Sequence, residues 1–266
     1  MSKYVLDLVV RAVEHISPRH ILLRLTSQEG LPDMLPGQFV EVRVDGSPST
    51  FLRRPISINY VDRQRQELWL LVAMVGNGTR QLGRLHPGDT LNCVLPLGNG
   101  FTLQPQPTPS DTGSRQLRRR LLIGGGVGVA PLLYLGAELR RTGCEPTFLL
   151  GGKTSGDLLE LSLFRDFGRV FVTTEDGSQG ERGFVTDHTV LREPFDYIHT
   201  CGPKPMMVAV ARHARRRGVE CEVSLENLMA CGLGACLCCV EKTTEGNLCV
   251  CKDGPVFNIK RLLWQI

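Results

Sequence analysis

Residues 226–257 read ENLMACGLGACLCCVEKTTEGNLCVCKDGPVF and hold six of the ten cysteines in this chain of 266 residues. The first part of the stretch carries the spacing Cys-x4-Cys-x2-Cys, formed by Cys231, Cys236 and Cys239. With a fourth cysteine downstream, that spacing is typical of a plant-type 2Fe-2S cluster, in which two irons take two thiolates each. The stretch therefore predicts a small iron–sulfur domain, bounded as residues 223–266.

Other residues of the stretch bear on the choice of metal and ligands. Gly232 and Gly234 allow the first loop to wrap around a cluster with its amides toward sulfur. A zinc site is the alternative, but zinc sites usually pair two Cys-x2-Cys units. Cys238 is out of register with the spacing, and Cys249 competes with Cys251 for the fourth position. The spacing alone leaves that position open.

The composition limits the classes of protein to consider. The chain has 31 Lys and Arg against 27 Asp and Glu, and its arginine runs are short and lack interleaved aromatic residues, which argues against nucleic-acid binding. The opening residues MSKYVLDLVVRAVEHIS carry charges within their apolar part and lack a cleavage pattern, so we expect no signal peptide. The segment Leu121–Ala137 is short for a bilayer span and rich in glycine, so we expect no membrane segment.

These features predict a cytoplasmic protein. In a reducing compartment a dense cysteine cluster is more often a metal site than a disulfide framework. The four cysteines outside the cluster stretch lie among apolar neighbours, and we expect them to be small buried core residues. They are Cys93, Cys144, Cys201 and Cys221.

The first hundred residues alternate short apolar runs with turn clusters. The runs cover Leu6–Val10, His20–Leu25, Phe39–Val44, Ile56–Tyr60 and Leu68–Met74. Strands of this length at this spacing predict an antiparallel β-barrel, bounded as residues 1–103.

Two segments of this barrel carry residues suited to a dinucleotide. In the sequence Arg-Pro-Ile-Ser, Arg54 can bind a pyrophosphate through both arms of its guanidinium group, and Ser57 can offer its hydroxyl or amide to a ring nitrogen. The segment Val75–Leu82 contains a glycine turn that predicts the start of a short helix, with Thr79 at its N-cap and an anion site behind it. Each segment alone is usually structural, but together in one barrel they favour a bound cofactor.

A nucleotide-binding domain is predicted next along the chain. Residues 104–119 are rich in Pro, Ser, Thr and Gly and predict a linker. The following strand leads into the pattern Gly-x-Gly-x-x-Pro, made by Gly126, Gly128 and Pro131. Such a turn between a strand and a helix lets the backbone approach a diphosphate.

Later strands continue this domain. They are predicted at Thr147–Leu150, Val170–Thr174 and Tyr197–Thr200, with helical stretches near Leu158–Phe167 and Met206–Arg217. Because strands and helices alternate, residues 120–222 predict a doubly wound parallel sheet. The fold class is therefore β followed by α/β, with the small iron–sulfur domain at the end.

The motifs of the barrel and the parallel sheet resemble the ferredoxin reductase family of flavoproteins, in which a barrel holds FAD and a nicotinamide domain follows. The resemblance implies contacts to FAD from the phosphate side by Arg54, Gly78 and Thr79, from the flavin side by Pro55, Ile56 and Ser57, and from the adenine or ribitol side by Leu71, Val72 and Ala73. Pro55 and Ile56 replace the tyrosine that the family usually has between its arginine and serine, so the resemblance implies no ring stacking by a tyrosine at this place.

The same resemblance implies the nicotinamide contacts. The segment CGPKPMM resembles the family segment that closes over nicotinamide, with its cysteine near the region of hydride transfer. The implied residues are Gly126, Gly128, Pro131, Asp176, Cys201, Gly202 and Pro203. The loop at Asp176 is acidic, which favours NADH over NADPH, and Lys153 is the main contrary feature. Cys201 and Glu226 are candidate neighbours of the flavin and the nicotinamide, and no side chain is expected to act as a general acid or base.

Essentially the whole chain resembles the electron-transfer subunits of type B dihydroorotate dehydrogenases, a branch of this family. The segments RRPISI, GNGT, IGGGVGVAPLLYL, TTEDGSQGERGFVTD, CGPKPMM and the cysteine loop occur in that order. The register of this resemblance selects Cys251 as the fourth ligand, beside Cys231, Cys236 and Cys239. It implies FAD, a 2Fe-2S cluster and NAD as cofactors. It also implies an FMN-containing catalytic subunit that oxidises dihydroorotate to orotate in pyrimidine biosynthesis, in a heterotetramer with two copies of each subunit.

Other functions share the same motifs. One is the small subunit of a ferredoxin:NADP oxidoreductase or the diaphorase subunit of a hydrogenase, and a second is a stand-alone NADH-dependent flavin reductase. A third, of a different class, is a metal-binding interaction module with a vestigial flavin fold. The partner and the electron acceptor distinguish these alternatives, and neither is encoded in a short motif of this chain.

Overall fold

A computed structural model of the chain describes residues 2–104 and 119–264. The predicted linker at residues 104–119 lies almost wholly outside the described residues. Within them, the chain forms two sheets of seven strands each and one two-stranded hairpin. No helix in the described ranges is both long enough and apolar enough to cross a lipid bilayer.

The N-terminal domain is an antiparallel sheet with one short helix. Its elements are β1 (Tyr4–Ser17), β2 (His20–Thr26), β3 (Phe39–Val42), β4 (Arg54–Ser57), β5 (Tyr60–Asp62), β6 (Glu67–Ala73), α1 (Asn77–Leu82) and β7 (Thr90–Leu97). The strands pair in the order β4-β3-β7-β1-β2-β6-β5. Only Ile58 and Asn59 separate the two edge strands β4 and β5, so the sheet has to curl until its edges approach one another.

This curled sheet confirms the predicted antiparallel barrel. The strand predicted at Ile56–Tyr60 is in fact the end of β4 and the start of β5, because the chain turns at Ile58 from one edge of the sheet to the other. Side chains alternate between the two faces of each strand. Val40 and Val42 of β3 are fully buried in the barrel core, whereas Phe39 joins a separate apolar cluster on the outer face.

The second domain alternates strands and helices. Its elements are β8 (Arg120–Gly125), α2 (Ala130–Arg141), β9 (Thr147–Gly152), α3 (Leu161–Phe167), β10 (Arg169–Thr174), β11 (Glu181–Arg182), β12 (Tyr197–Cys201), α4 (Lys204–Arg217) and β13 (Glu220–Ser224). Short 3-10 turns occupy Gly126–Val129, Ser155–Asp157, Val185–Asp187 and Thr189–Arg192. Strands β8, β9, β10, β12 and β13 run parallel to one another, which confirms the predicted parallel sheet.

The order of these strands creates a place for a ligand. The sheet runs β11-β10-β9-β8-β12-β13 and ends with the strand β16 (Val256–Asn258), so the chain moves outward in one direction from β8 and then returns to the other side of β8 with β12. Ligands of open α/β sheets bind outside the carboxyl ends of the strands at such a reversal. In this chain those ends are Gly125 of β8 and Cys201 of β12, which begin the two predicted nicotinamide segments.

The C-terminal region is small and is hydrogen-bonded to both of the other domains. It contains the hairpin β14 (Val240–Thr243) and β15 (Gly246–Cys249), the short helix α5 (Val250–Asp253) and the strand β16 (Val256–Asn258). Strand β16 pairs antiparallel with β13 at the edge of the parallel sheet. The backbone amide of Asn99, just after β7, donates to the carbonyl of Gly254 at 2.6 Å. Strand β13 runs across the boundary predicted between residues 222 and 223.

Buried polar contacts join the barrel to the parallel sheet. The Asn59 carbonyl accepts a hydrogen bond from the Tyr134 amide at 3.1 Å, and the Tyr134 hydroxyl donates to the Met34 carbonyl at 3.0 Å. The Asn59 side chain donates to a carboxylate oxygen of Glu160 at 2.9 Å. Because buried polar groups are costly to separate from their partners, these contacts fix the two domains against each other.

Candidate functional site

The cysteine loop wraps so that backbone amides point at sulfur. The Leu233 amide donates to Cys231 Sγ at 3.3 Å, and the Gly234 amide donates to Cys251 Sγ at 3.1 Å. The Cys251 amide in turn donates to Cys239 Sγ at 3.3 Å. Gly232 and Gly234 have φ values of 66° and 82°, a region that favours glycine, which is why the loop can turn its amides inward. Amide donors of this kind stabilise thiolates bound to iron.

The four predicted ligands fall into two pairs. The Cys231 and Cys236 side chains contact one another, as do those of Cys239 and Cys251. The Leu233 amide is the main cause that lowers the pKa of Cys231 to about 6, whereas burial raises the pKa of Cys251 to about 12. No three His, Cys, Asp or Glu side chains converge on one point within residues 2–104 and 119–264. Two pairs of thiols fit a cluster of two irons, each of which takes two protein ligands.

The two cysteines outside the spacing lie in different surroundings. Cys238 is exposed and follows Leu237, whose φ of 58° marks a tight turn on the surface. Cys249 is buried at the end of β15, and its thiol lies 3.9 Å from the Gly234 carbonyl. Cys249 therefore lies beside the loop with its thiol toward a carbonyl oxygen. The four scattered cysteines, Cys93, Cys144, Cys201 and Cys221, are buried as predicted.

A cavity of about 400 Å³ opens on the barrel beside α1. Its walls are Ser49, Thr50, Arg54 and the segment 75–79, so three separate parts of the chain meet there. A side chain at Gly78 would lie 3.0 Å from both the Arg54 guanidinium and the Thr50 methyl group, so only glycine lets them approach so closely. The cavity thus has a cation and hydroxyl-bearing side chains beside the first turn of α1, which suits a phosphate group.

The helix beside this cavity begins earlier than the sequence predicted. Gly76 is the residue that precedes α1, and Thr79 lies inside its first turn. The Thr79 hydroxyl accepts a hydrogen bond from the Gly76 amide at 3.1 Å, so it still satisfies an amide at this helix end. The prediction of Thr79 at the N-cap was wrong because the glycine turn itself continues into the helix. Ser49 and Thr50 were not predicted, since an SPST loop looks like an ordinary turn.

The remaining residues of the predicted FAD set lie along two strands. Pro55, Ile56 and Ser57 are half-buried in β4, where Ser57 pairs with Phe39 of β3. Leu71 and Val72 of β6 are buried in apolar clusters, and their side chains contribute to the packing. Ala73 follows them and lines the large cleft between the barrel and the parallel sheet.

That cleft has a volume of about 580 Å³ and lies at the carboxyl ends of the parallel strands. Gly126 and Pro203 line it, together with Gly151 and Gly152 at the end of β9 and Lys153 just after it. The barrel closes it from the other side with Arg19, His20 and Ala73. The Arg19 guanidinium reaches Asp157 of the parallel-sheet domain at 2.8 Å across the cleft. The cleft therefore joins the predicted FAD strand to the predicted nicotinamide segments.

The two predicted nicotinamide segments contact one another at Gly128, Cys201 and Gly202. A Cβ atom on Gly128 would lie 2.5 Å from the Gly202 Cα and 2.8 Å from the Cys201 carbonyl carbon. Pro131 is buried within the first turn of α2, where it needs no amide partner. These residues shape the backbone of the cleft, and none of them is among the side chains that form its wall.

The acidic loop after β10 presents Glu175 to the cleft. Glu175 lines the cavity, and its amide is held by the Gly152 carbonyl at 3.1 Å. The Asp176 carboxylate instead accepts hydrogen bonds from the amide and the hydroxyl of Ser178, and these bonds lower the pKa of Asp176. Of these two carboxylates, Glu175 rather than Asp176 therefore lines the cleft. The sequence signal was the acidic pair itself, which does not say which carboxylate faces inward.

Cys201 and Glu226, the candidate neighbours of the flavin and the nicotinamide, lie close to one another. The Cys201 thiol is fully buried at the end of β12 and lies 3.9 Å from a carboxylate oxygen of Glu226. Burial is the main cause that raises the pKa of Cys201. A buried thiol with a raised pKa is a poor nucleophile.

Comparisons with known proteins place this architecture in a family. Residues 226–263 match the model of the iron–sulfur cluster binding domain of dihydroorotate dehydrogenase B. Over 226 residues the chain is 40% identical to the dihydroorotate dehydrogenase B (NAD(+)) electron transfer subunit of Geobacillus kaustophilus, covering 84% of each chain. The chain belongs to the family of the dihydroorotate dehydrogenase B electron transfer subunits. The corresponding subunit of Listeria monocytogenes is also 40% identical, over 86% of this chain and 87% of its own length.

Solved structures agree with this assignment. A chain of the NADH-dependent reduced ferredoxin-NADP oxidoreductase superposes with a TM-score of 0.83 and 28% identity, over 99% of this chain and 92% of its own length. The cytochrome b5 reductase domain of Ulva prolifera nitrate reductase superposes with a TM-score of 0.62 over 82% of this chain and 94% of its own length. Its identity of 21% supports a common fold for the barrel and the parallel sheet. The resemblance to the ferredoxin reductase family is thereby confirmed.

Proposed function

We propose that this chain is the subunit that carries electrons between NAD and a catalytic partner subunit that oxidises dihydroorotate to orotate in pyrimidine biosynthesis. The partner holds FMN, and the electrons leave it through a 2Fe-2S cluster and FAD to reach NAD⁺. The family relationship supports a partner subunit, because the relatives are named as electron transfer subunits of such an enzyme. We further propose a cytoplasmic heterotetramer with two copies of each subunit.

The observation that carries this proposal is the pairing of the four thiols. Cys231 with Cys236, and Cys239 with Cys251, present two pairs of sulfur donors to a loop whose amides point inward. A single structural ion needs four donors around one point, whereas a two-iron cluster needs two pairs. The chain therefore has the ligands of a one-electron carrier beside a barrel that suits a flavin.

The barrel residues would hold FAD by its phosphates and by one edge of its ring. Arg54 would supply the positive charge for the pyrophosphate, and Thr50 and Thr79 line the same cavity. Ser57 is half-buried on β4, where its hydroxyl or amide can be offered to the ring. When bound, FAD exchanges a hydride with nicotinamide and passes the electrons on one at a time.

The cleft residues would align the nicotinamide nucleotide. Gly126 and Pro203 let the backbone approach it, and Glu175 can accept hydrogen bonds from a free ribose hydroxyl. Because a carboxylate repels a 2'-phosphate, Glu175 favours NAD over NADP. Hydride transfer chiefly requires two rings held face to face, so these residues bind and orient.

Purification of the native complex tests the proposal directly. We expect a second polypeptide with FMN, flavin absorption bands, and a 2Fe-2S signal that is reduced by NADH and by dihydroorotate. The complex should form NADH from dihydroorotate and NAD⁺, and this chain alone should oxidise NADH with ferricyanide but leave dihydroorotate unchanged. Full activity of the isolated chain with dihydroorotate would contradict the proposal.

A second candidate has support from one observation. The 28% identity with a chain of the NADH-dependent reduced ferredoxin-NADP oxidoreductase, over 99% of this chain, makes a partner that acts on ferredoxin the main competitor. The same purification separates the two, because that partner would bring iron–sulfur clusters in place of FMN and would give no orotate.

A further inference from the structure

Glu41 lies on the outer face of β3, where the barrel meets the cysteine loop. Its neighbours in sequence, Val40 and Val42, are buried in the barrel core, so Glu41 points the other way. Phe39 shares that outer face and packs in an apolar cluster that also contains Cys239, Cys249 and Cys251. Glu41 is thus an acidic residue at an otherwise apolar contact between the two cofactor regions.

The carboxyl group of Glu41 is buried without a partner. The residue is 1% exposed, and neither of its carboxylate oxygens has a hydrogen-bond partner among the described residues. The Arg53 side chain donates to Asn92 and to the Glu41 backbone carbonyl, not to the Glu41 carboxylate. Burial is the main cause that raises the pKa of Glu41 to about 7, and the charge of Arg53 opposes this rise. Such a group destabilises the fold, which calls for a functional reason.

Gly232 of the cysteine loop lies directly against Glu41. A Cβ atom on Gly232 would lie 2.7 Å from Glu41 Cγ and 3.1 Å from Glu41 Oε1. The φ of 66° at Gly232 also belongs to the region that favours glycine. The Glu41 side chain therefore occupies the space that a side chain at Gly232 would need, one residue from the predicted ligand Cys231. On its other side, Glu41 pairs with Pro55, the residue after Arg54.

We propose that Glu41 is a positioning residue that holds the cysteine loop through Gly232 and lowers the reduction potential of the cluster with its negative charge. This inference rests on the proposed function, because it needs a 2Fe-2S cluster on the four cysteines. An added electron near a buried negative charge is unfavourable, and the effect is large where water is excluded. Charge and hydrogen bonds near the sulfurs are known to set the potentials of such clusters.

The test compares Glu41→Gln with the wild type in the complete complex with its partner. Glutamine keeps the shape of the side chain and removes its charge. We expect the iron and FAD contents to stay the same, and the midpoint potential of the cluster, measured by EPR-monitored redox titration at pH 9, to become more positive. Glu67→Gln on β6, which is separated from β3 by three strands in the sheet order, is the matched control and should leave the potential unchanged.

Two outcomes would overturn the inference. One is a Glu41→Gln complex with full iron content and an unchanged potential, and the other is an equal shift in the Glu67→Gln control. If Glu41→Gln fails to fold, Glu41→Leu removes the charge while it fills the apolar contact, and the same positive shift is required of it. A wild-type complex without a 2Fe-2S signal would instead contradict the proposed function, so the two failures can be told apart.

Discussion

Replacing Gly128 by alanine tests how closely the glycine-rich turn must approach the segment at Cys201. The added Cβ would lie 2.5 Å from the Gly202 Cα, 2.6 Å from the Gly202 nitrogen and 2.8 Å from the Cys201 carbonyl carbon. Ordinary carbon contacts lie at about 3.5–4.0 Å, so one segment has to retreat by about 1 Å. All three neighbours are backbone atoms, which cannot rotate away as a side chain can.

The size of the effect follows from this overlap. Forcing an extra methyl group into a packed site typically costs about 1–3 kcal/mol. For a chain of this size, each kcal/mol lowers the midpoint of thermal unfolding by about 2–4 °C. Because the two segments form one end of the nicotinamide cleft, the affinity for NADH should fall as well, by about tenfold for every 1.4 kcal/mol lost from binding.

Two measurements on the Gly128→Ala variant check this reasoning. They are the thermal unfolding midpoint and the dissociation constant of NADH, measured by titration of the flavin fluorescence. Gly156→Ala is the matched control, because a Cβ there meets only the Thr154 hydroxyl at 3.6 Å, an ordinary contact. If Gly128→Ala matches Gly156→Ala in both measurements, the two segments do not need their close approach and the reasoning is refuted.

Three further predictions concern other parts of the chain. Cys251→Ser should abolish the 2Fe-2S absorption and EPR signal while Cys249→Ser retains both, and the reverse result would move the fourth ligand. Glu175→Gln should weaken NADH binding by about tenfold and reduce the ratio of NADH affinity to NADPH affinity, since a charged hydrogen-bond acceptor is lost. Asp176→Asn should change neither quantity. Equal effects of the two substitutions would contradict the proposal that Glu175 contacts the ribose. Burial raises the pKa of Glu160 to about 7 from the ordinary value of 4.5, so its contribution to stability is complete below about pH 4.5 and is lost as the pH rises through 7. Glu160→Gln should therefore flatten the fall in unfolding free energy, roughly 3 kcal/mol, over that range in denaturant titrations; an unaltered pH profile would refute the role of this carboxyl.

Local backbone chemistry explains what the sequence could predict. The glycine-rich turn before α2 and the cysteine spacing each involve only a few neighbouring residues. Both patterns can therefore be recognised without knowledge of the rest of the fold. The alternation of apolar residues in the first hundred positions likewise predicts strands and their inner faces. Thr79 shows the limit of this approach. It was predicted at the N-cap of α1, but the N-cap is Gly76 and Thr79 lies inside the first turn.

Contacts between distant segments explain what the sequence could not predict. Glu41 alternates with Val40 and Val42, a pattern that normally indicates an exposed face, and only the packing of the cysteine loop buries it. Ser49 and Thr50 reach the cavity because their loop folds back onto α1. Glu175 rather than Asp176 lines the cleft, and the Asp176 carboxylate is instead bound by the amide and the hydroxyl of Ser178. None of these has a signature in the order of neighbouring residues.

Strand β16 has a consequence for the making of the protein. It covers the outer edge of β13, yet the whole cysteine loop is synthesised between these two strands. A nascent chain therefore carries an open edge at β13 until the loop has been made and folded back. Unpaired strand edges recruit strands from other molecules. Chains that fail to acquire iron, or that are cleaved within the loop, should consequently be prone to aggregate through the nucleotide-binding domain rather than through the damaged segment itself.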